Sequence, residues 1–353
     1  MAPHTNLYVR LTKEGQQWSV QFNVNRDRVT ESKSHNIYWF PEHVQVDLAQ
    51  ALGAFESPNR PRDSSTSIGM LLGEALLWPP TPNAPEPRNA LAQELVKFKK
   101  HEVPLRIWLD CEADPKAAGL PWEVMRSTRF LKSGGFRDDV ALLLQGGISL
   151  IRWYPNKALS ETPPCPPANT RVLQVIYDAS LNEWQPIQRL TRYTLETVTE
   201  QLGSTSFQSS PARLPEILHF AGHGGAQSKE GPSRLANQIR SITIDNQTLT
   251  KWSASPTLRL AFLASCESAS RKGKDEDSKD EDVKDEDVKD GDCPTLAFLE
   301  AKCPVVIGFP YKVAQENVSR IVSAFYEELC RTPWDYDAPV EIDEVLAKTR
   351  RKL

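Results

Sequence analysis

The chain opens with two short runs in strand spacing, Leu7 to Leu11 and Trp18 to Phe22, followed by a polar turn region at 25–34. Apolar residues then recur at helical spacing over Pro41 to Leu52 and near Gly69 to Leu77. The segment Trp78-Pro-Pro-Thr-Pro-Asn-Ala-Pro-Glu-Pro interrupts this pattern, because each proline fixes φ and removes a backbone donor. Helical spacing resumes from Asn89 to Lys99. Beyond it the pattern predicts strands at Leu105 to Asp110, Val140 to Leu144 and Ile148 to Trp153, with Leu120-Pro-Trp-Glu-Val-Met as a turn into a short helix.

Glu161-Thr-Pro-Pro-Cys-Pro-Pro-Ala-Asn-Thr carries four prolines and is the best internal boundary. After it, apolar strands alternate with amphipathic helices: a strand at Val172 to Tyr177, a helix at Ile187 to Leu202 and a strand at Ile217 to Phe220. A hairpin at Ser241 to Leu249 and a strand at Leu258 to Ala264 come next. A helix at Thr295 to Ala301, a strand at Val305 to Phe309 and a helix at Val313 to Leu329 follow. The last helix places Val318, Ile321, Val322, Phe325 and Leu329 on one face. Strands joined by crossover helices imply a mainly parallel sheet covered on both sides. The fold class is therefore α/β, with residues 1–160 as an α+β region and 169–353 as the α/β domain.

Composition leaves this picture in place. With 39% hydrophobic and 25% charged residues the chain falls in the range of ordinary globular proteins. Its longest apolar runs, such as Val140 to Leu144, fall far short of the roughly 20 residues that cross a bilayer. The start, Met1-Ala-Pro-His-Thr-Asn, lacks the basic and apolar regions of a signal peptide, so a cytoplasmic protein without membrane contact is expected. The six cysteines, Cys111, Cys165, Cys266, Cys293, Cys303 and Cys330, form no CxxC pair, which argues for free thiols over a disulfide framework or zinc ribbon.

Charge is uneven. From Lys274 to Asp292 four lysines stand against eleven acids, so this tract carries −7 of a chain total of −4 and the remainder carries +3. Neither balance implies direct nucleic-acid binding. The tract repeats every five residues, from Lys274-Asp-Glu-Asp-Ser onward, a period that matches neither helix nor strand. The insertion at 271–292 is expected to be a disordered, solvated loop.

Two segments place a reactive side chain just past a short apolar strand: Ile217-Leu-His-Phe-Ala-Gly-His-Gly-Gly and Leu260-Ala-Phe-Leu-Ala-Ser-Cys-Glu-Ser-Ala. The carboxyl edge of an open α/β sheet is where ligands bind, so both should reach one cleft. A thiol needs a neighbouring imidazole to become thiolate near neutral pH, and His223 can supply it to Cys266. Gly222 and Gly224 permit a tight turn and close approach of substrate. The backbone N–H groups of Gly224 and Cys266 would then stabilise an oxyanion. His219 lies within its strand and is expected to be a core histidine that supports the loop. A zinc site built from His219, His223 and Cys266 is the competing chemistry, although it lacks a fourth ligand.

His223 and Cys266 lie 43 residues apart, near the roughly 50 that separate the caspase pair. Together, His-Phe-Ala-Gly-His-Gly and Leu-Ala-Ser-Cys-Glu-Ser-Ala resemble the two catalytic motifs of the CHAT family, bacterial and fungal relatives of caspases and separase. Cys303-Pro-Val-Val-Ile-Gly-Phe, Phe325-Tyr-Glu-Glu-Leu and Val345-Leu-Ala-Lys-Thr-Arg resemble its downstream elements, and Leu105-Arg-Ile-Trp-Leu-Asp, Leu120-Pro-Trp-Glu and Ile148-Ser-Leu-Ile-Arg-Trp resemble the region preceding it. The resemblance runs from about Leu105 and leaves the first hundred residues uncovered. Tetratricopeptide repeats, present in some relatives, are not detectable here.

The resemblance implies a caspase-like three-layer sandwich from 169 to 353, with 1–160 as a pseudo-caspase-like half packed against it. It implies a cysteine endopeptidase that needs no cofactor. Cys266 would attack, His223 would activate the thiol and protonate the leaving amine, and a protein substrate would be cut in defence or cell-death signalling after an activating partner or signal. A catalytically silent interaction module of the same fold is the alternative. In caspase-like enzymes the strand that corresponds to Val172 to Tyr177 contributes to the pocket, so Asp178 would favour Arg or Lys before the cut. The acidic tract stands where such proteins are often cleaved, which makes Lys274, Lys279, Lys284 and Lys289 candidate self-cleavage sites. Calcium is a weaker possibility there, since the tract lacks EF-hand spacing. Trp122 is expected to be a packing residue.

Overall fold

Apolar residues that recur every second position along three neighbouring strands form the core of the first part of the chain. The computed structural model describes residues 5–14, 17–24, 36–39, 50–51, 64–77, 95–96, 105–112, 120–126, 136–137, 140–145, 147–154, 171–176, 194–199, 217–221, 223–225, 234–236, 243–244, 258–264, 294–300, 303–309, 315–331 and 341–353. Contacts group Met1–Pro155 and Leu346–Lys352 into one unit, and Asn156–Val345 with Leu353 into a second.

In the first unit, β1 (Thr5–Glu14), β2 (Gln17–Val24), β3 (Asn36–Trp39), β4 (Leu105–Asp110) and β5 (Ile148–Trp153) form one sheet in the order β3-β2-β1-β4-β5. The first three strands pair antiparallel, whereas β1, β4 and β5 pair parallel. The register sets Leu7 beside Ile107 and Val9 beside Leu109, and Leu105 and Ile148 complete a buried apolar face. Side chains of Leu76, Leu95, Trp122, Met125 and Leu142 converge with this face around a small apolar cavity.

Helix α1 (Ser64–Leu77) buries Ile68, Leu72 and Leu76, four residues apart on one stripe. Gly69 and Gly73 lie beside that stripe, and a Cβ on either would overlap a carbonyl oxygen, of Val124 and Arg126 respectively. The close approach lets Arg126 N–H donate to the Gly69 carbonyl (2.9 Å), while the Arg126 guanidinium donates to Thr66 Oγ1 (3.0 Å). Of the other two helices predicted in this part, only residues 50–51 and 95–96 are described, and these are helical.

The strand expected at Val140 to Leu144 is a correction. Ala141 makes a single bridge to Arg126, after which Leu142–Leu144 form a 3-10 turn. Leu142 and Leu143 are both buried within this turn. The turn closes through Leu144 N–H to the Ala141 carbonyl (2.9 Å), and the Gln145 amide clamps the backbone of Arg137 at 2.7 and 2.6 Å.

The second unit contains β6 (Arg171–Ile176), β7 (Thr194–Thr199), β8 (Ile217–Ala221), β9 (His223–Gly225), β10 (Arg234–Ala236), β11 (Thr243–Ile244), β12 (Leu260–Ala264) and β13 (Val305–Gly308). Its helices are α2 (Pro294–Glu300) and α3 (Gln315–Arg331), while α4 (Ile342–Lys352) is divided, Ile342–Val345 grouping with this unit and Leu346–Lys352 with the first. Five strands form an entirely parallel sheet in the order β13-β12-β8-β6-β7. β8 and β12 are buried at every position, as strands covered on both faces must be. The fold is mixed α/β, with parallel strand pairing in both units. Among the described residues no helix is long and apolar enough to cross a membrane.

The helix expected over Ile187 to Leu202 is a second correction: Thr194–Thr199 forms β7, parallel to β6. Three threonines and a valine among its six residues stiffen the side chains and favour a pleated strand over a helix. Within the hairpin expected at Ser241 to Leu249, Thr243–Ile244 is a strand that pairs with β10, and its other residues lie outside the described ones.

Candidate active site

The candidate site is defined by how β8 and β12 end. They pair parallel with Ile217 beside Leu260 and Ala221 beside Ala264, a constant offset of 43 residues. His223 follows Ala221 by two residues and Cys266 follows Ala264 by two, so the spacing of the pair in sequence equals the register of the ladder. β6 lies on the other side of β8 with Ile176 beside Ala221, and Asp178 follows Ile176 by two residues. Three adjacent strands thus finish on one row, each two residues short of a candidate functional residue.

Strand order adds a second argument. Counted among the parallel strands alone, the sheet runs 2-1-3-4-5, and its connections reverse direction between β6 and β8. In open α/β sheets such a switch point leaves a crevice outside the carboxyl ends, where ligands bind. After Ala221 the backbone leaves the parallel sheet. His223, Gly224 and Gly225 form β9 opposite Ala236, Leu235 and Arg234 of β10.

Beneath this edge, His219 sits in the middle of β8 with 0% exposure. Its ring stacks on Phe262, its register neighbour on β12, at 5.1 Å and 18°. Nδ1 lies 2.9 Å from the hydroxyl of Tyr326 on α3, also 0% exposed. Burial lowers the imidazole pKa to about 3, so the ring is neutral. This is the core placement expected of His219. Burial likewise pushes Tyr326 well above the usual phenol range, with a smaller contribution from Cys330. Tyr326 was not singled out in the sequence. A histidine inside an apolar strand signals that a polar partner must exist, but not which residue supplies it.

The other candidates divide by where they fall. Cys266, Asp178, Lys274, Lys279, Lys284, Lys289 and the whole insertion at 271–292 lie outside the described residues, and of His223 only the backbone is described. Gly224 is placed by its pairing opposite Leu235. Cys111, Cys303 and Cys330 are free thiols. Cys303 is buried and donates to the Val305 carbonyl (3.3 Å), and burial pushes its pKa up to about 12. Trp122 is 1% exposed and belongs to the core of the first unit. The adjoining Glu123 receives three guanidinium bonds from Arg152, at 2.9, 3.0 and 3.2 Å, which fasten this turn to β5. Among the described residues no group of three His, Cys, Asp or Glu side chains could hold a metal ion.

The chain matches no protein-family model and no curated protein sequence.

Proposed function

We propose that the chain is a cysteine endopeptidase of caspase-like architecture, in which Cys266 is the nucleophile and His223 its base. The observation that supports this reading most is the shared row at the ends of β8 and β12, with the two reactive residues following at equal distance. Cys266 attacks the scissile carbonyl, His223 takes the thiol proton and returns it to the leaving amine, and the amides of Gly224 and Cys266 hold the oxyanion. The motif resemblance to the CHAT family and the all-parallel sheet are both consistent with a caspase-like three-layer sandwich.

Asp178 follows the strand on the far side of the switch point and supplies the carboxylate of the specificity pocket, so Arg or Lys precedes the cut. The biological setting is that of the resembled family: a cytoplasmic effector in defence or cell death, triggered by a partner or signal, that cuts a specific protein and needs no cofactor.

Purified protein treated with peptide electrophiles ending in Arg, Lys or Asp tests chemistry and preference together. The expected result is labelling at Cys266 that is lost in Cys266→Ala and reduced at least a hundredfold in His223→Ala, with Arg or Lys favoured over Asp. Labelling of His223→Ala at the wild-type rate points instead to a silent interaction module, and a preference for Asp removes the role given to Asp178.

A further inference from the structure

A fully buried strand position such as 219 is most simply filled by an apolar side chain, because a buried imidazole and a buried phenol each carry a desolvation cost until they meet. Replacing both by apolar groups of similar shape is close to neutral for stability. What the hydrogen bond adds is direction, because it forms only where the hydroxyl of α3 meets Nδ1 of β8 at bonding distance and angle. The position of this bond along the strands is informative. His219 stands four residues before His223, and Phe262, on which its ring stacks, stands four residues before Cys266. Tyr326 reaches both members of that row, by its hydroxyl to His219 (2.9 Å) and by its ring to Phe262 (6.0 Å between centroids). Phe325 packs on Phe262 at 5.1 Å from the same helix. One helix therefore grips both strands at the same level, two residues before each strand ends at Ala221 and Ala264.

We propose that His219 and Tyr326 are a positioning pair that locks β8 and β12 to α3 so that the segments following them bring His223 and Cys266 into register. The proposal rests on the cysteine-protease reading. Neither residue touches substrate, and their effect reaches the reaction through the alignment of the two strand ends.

The test uses full-length protein and a peptide electrophile, with the rate of Cys266 labelling followed across pH, beside Tyr326→Phe, the double variant His219→Phe/Tyr326→Phe and His223→Ala. Tyr326→Phe removes only the hydroxyl, and the double variant removes the polar pair without orphaning either group, so it keeps the question open to test if the single variant folds poorly. Both are expected to label about ten- to a hundredfold more slowly than wild type, the scale of a misaligned reacting pair. Both should also shift the pH profile toward that of an ordinary thiol while the folded fraction at the assay temperature is unchanged. Wild-type rate and profile in the double variant, beside a slow His223→Ala, overturn the positioning role alone. Wild-type labelling no faster than that of His223→Ala overturns the dyad itself.

Discussion

His219 shows how burial alone sets the chemistry of a side chain. The ring is fully enclosed and its folded-state pKa falls to about 3 from an ordinary value of 6.5. Between those values the unfolded chain takes up a proton that the folded chain refuses, so stability from this residue is complete above pH 6.5 and is lost as pH falls below it. Within that window the slope is about 1.4 kcal/mol per pH unit, so acidification from pH 6.5 to 5 costs about 2 kcal/mol. Urea midpoints for wild type and for His219→Phe/Tyr326→Phe at the two pH values check this. Wild type is expected to lose about 2 kcal/mol more than the double variant. Equal acid losses would show that the imidazole protonates without unfolding cost. Cys303 is the mirror case: burial holds its proton to about pH 12, so it remains a thiol under conditions in which an activated cysteine would react.

At the scale of elements, the clearest dependence on a single atom lies between α1 and the segment 124–126. Alanine is a better helix former than glycine by about 1 kcal/mol, so Gly69→Ala or Gly73→Ala on an open surface would stabilise the helix. Here the added Cβ overlaps a backbone carbonyl oxygen, which cannot rotate away as a flexible side chain would. Each substitution is expected to destabilise by about 1–3 kcal/mol, read as a lower denaturant midpoint, with Gly69→Ala also weakening the Arg126 to Gly69 bond. A raised midpoint would mean that the helix can move off the segment. These glycines were invisible to pattern reading, which sees that a helix exists but not what it touches. The same limit explains the other misses. Leu195, Val198 and Leu202 fit a helical stripe, whereas Thr194, Thr197 and Thr199 favour a strand, and pairing with β6 decides for the strand. By contrast β8 and β12 were legible, because short apolar runs before Gly222 and Ser265 have one natural reading in a parallel sheet. The relation of His219 to its neighbours was legible only in part: burial followed from its place in the strand, while its partner lies 107 residues away on a helix.

At the scale of the whole molecule, the order of strands governs what a cut in the acidic tract would do. β12 ends at Ala264 before the tract, and β13 begins at Val305 after it, yet the two pair parallel over four residues in one sheet. α3 follows β13 and packs on Phe262 of β12 through Phe325 and Tyr326. Cleavage after Lys274, Lys279, Lys284 or Lys289 therefore separates the chain covalently within a continuous sheet and core. The strand pairing and the aromatic contacts hold the two pieces together as they held the uncut chain, because none of them passes through the tract. If the proposed enzyme cuts itself there on activation, denaturing mass spectrometry should show two fragments ending and beginning within 274–290. The same sample under native conditions should elute at the position of the intact protein, and Cys266→Ala should remain whole. Intact wild-type chain after activation removes self-cleavage, and fragments that separate on a sizing column would mean that β13 and α3 depend on the covalent connection. Co-elution with retained labelling at Cys266 would make the tract a segment whose scission leaves the sheet edge assembled.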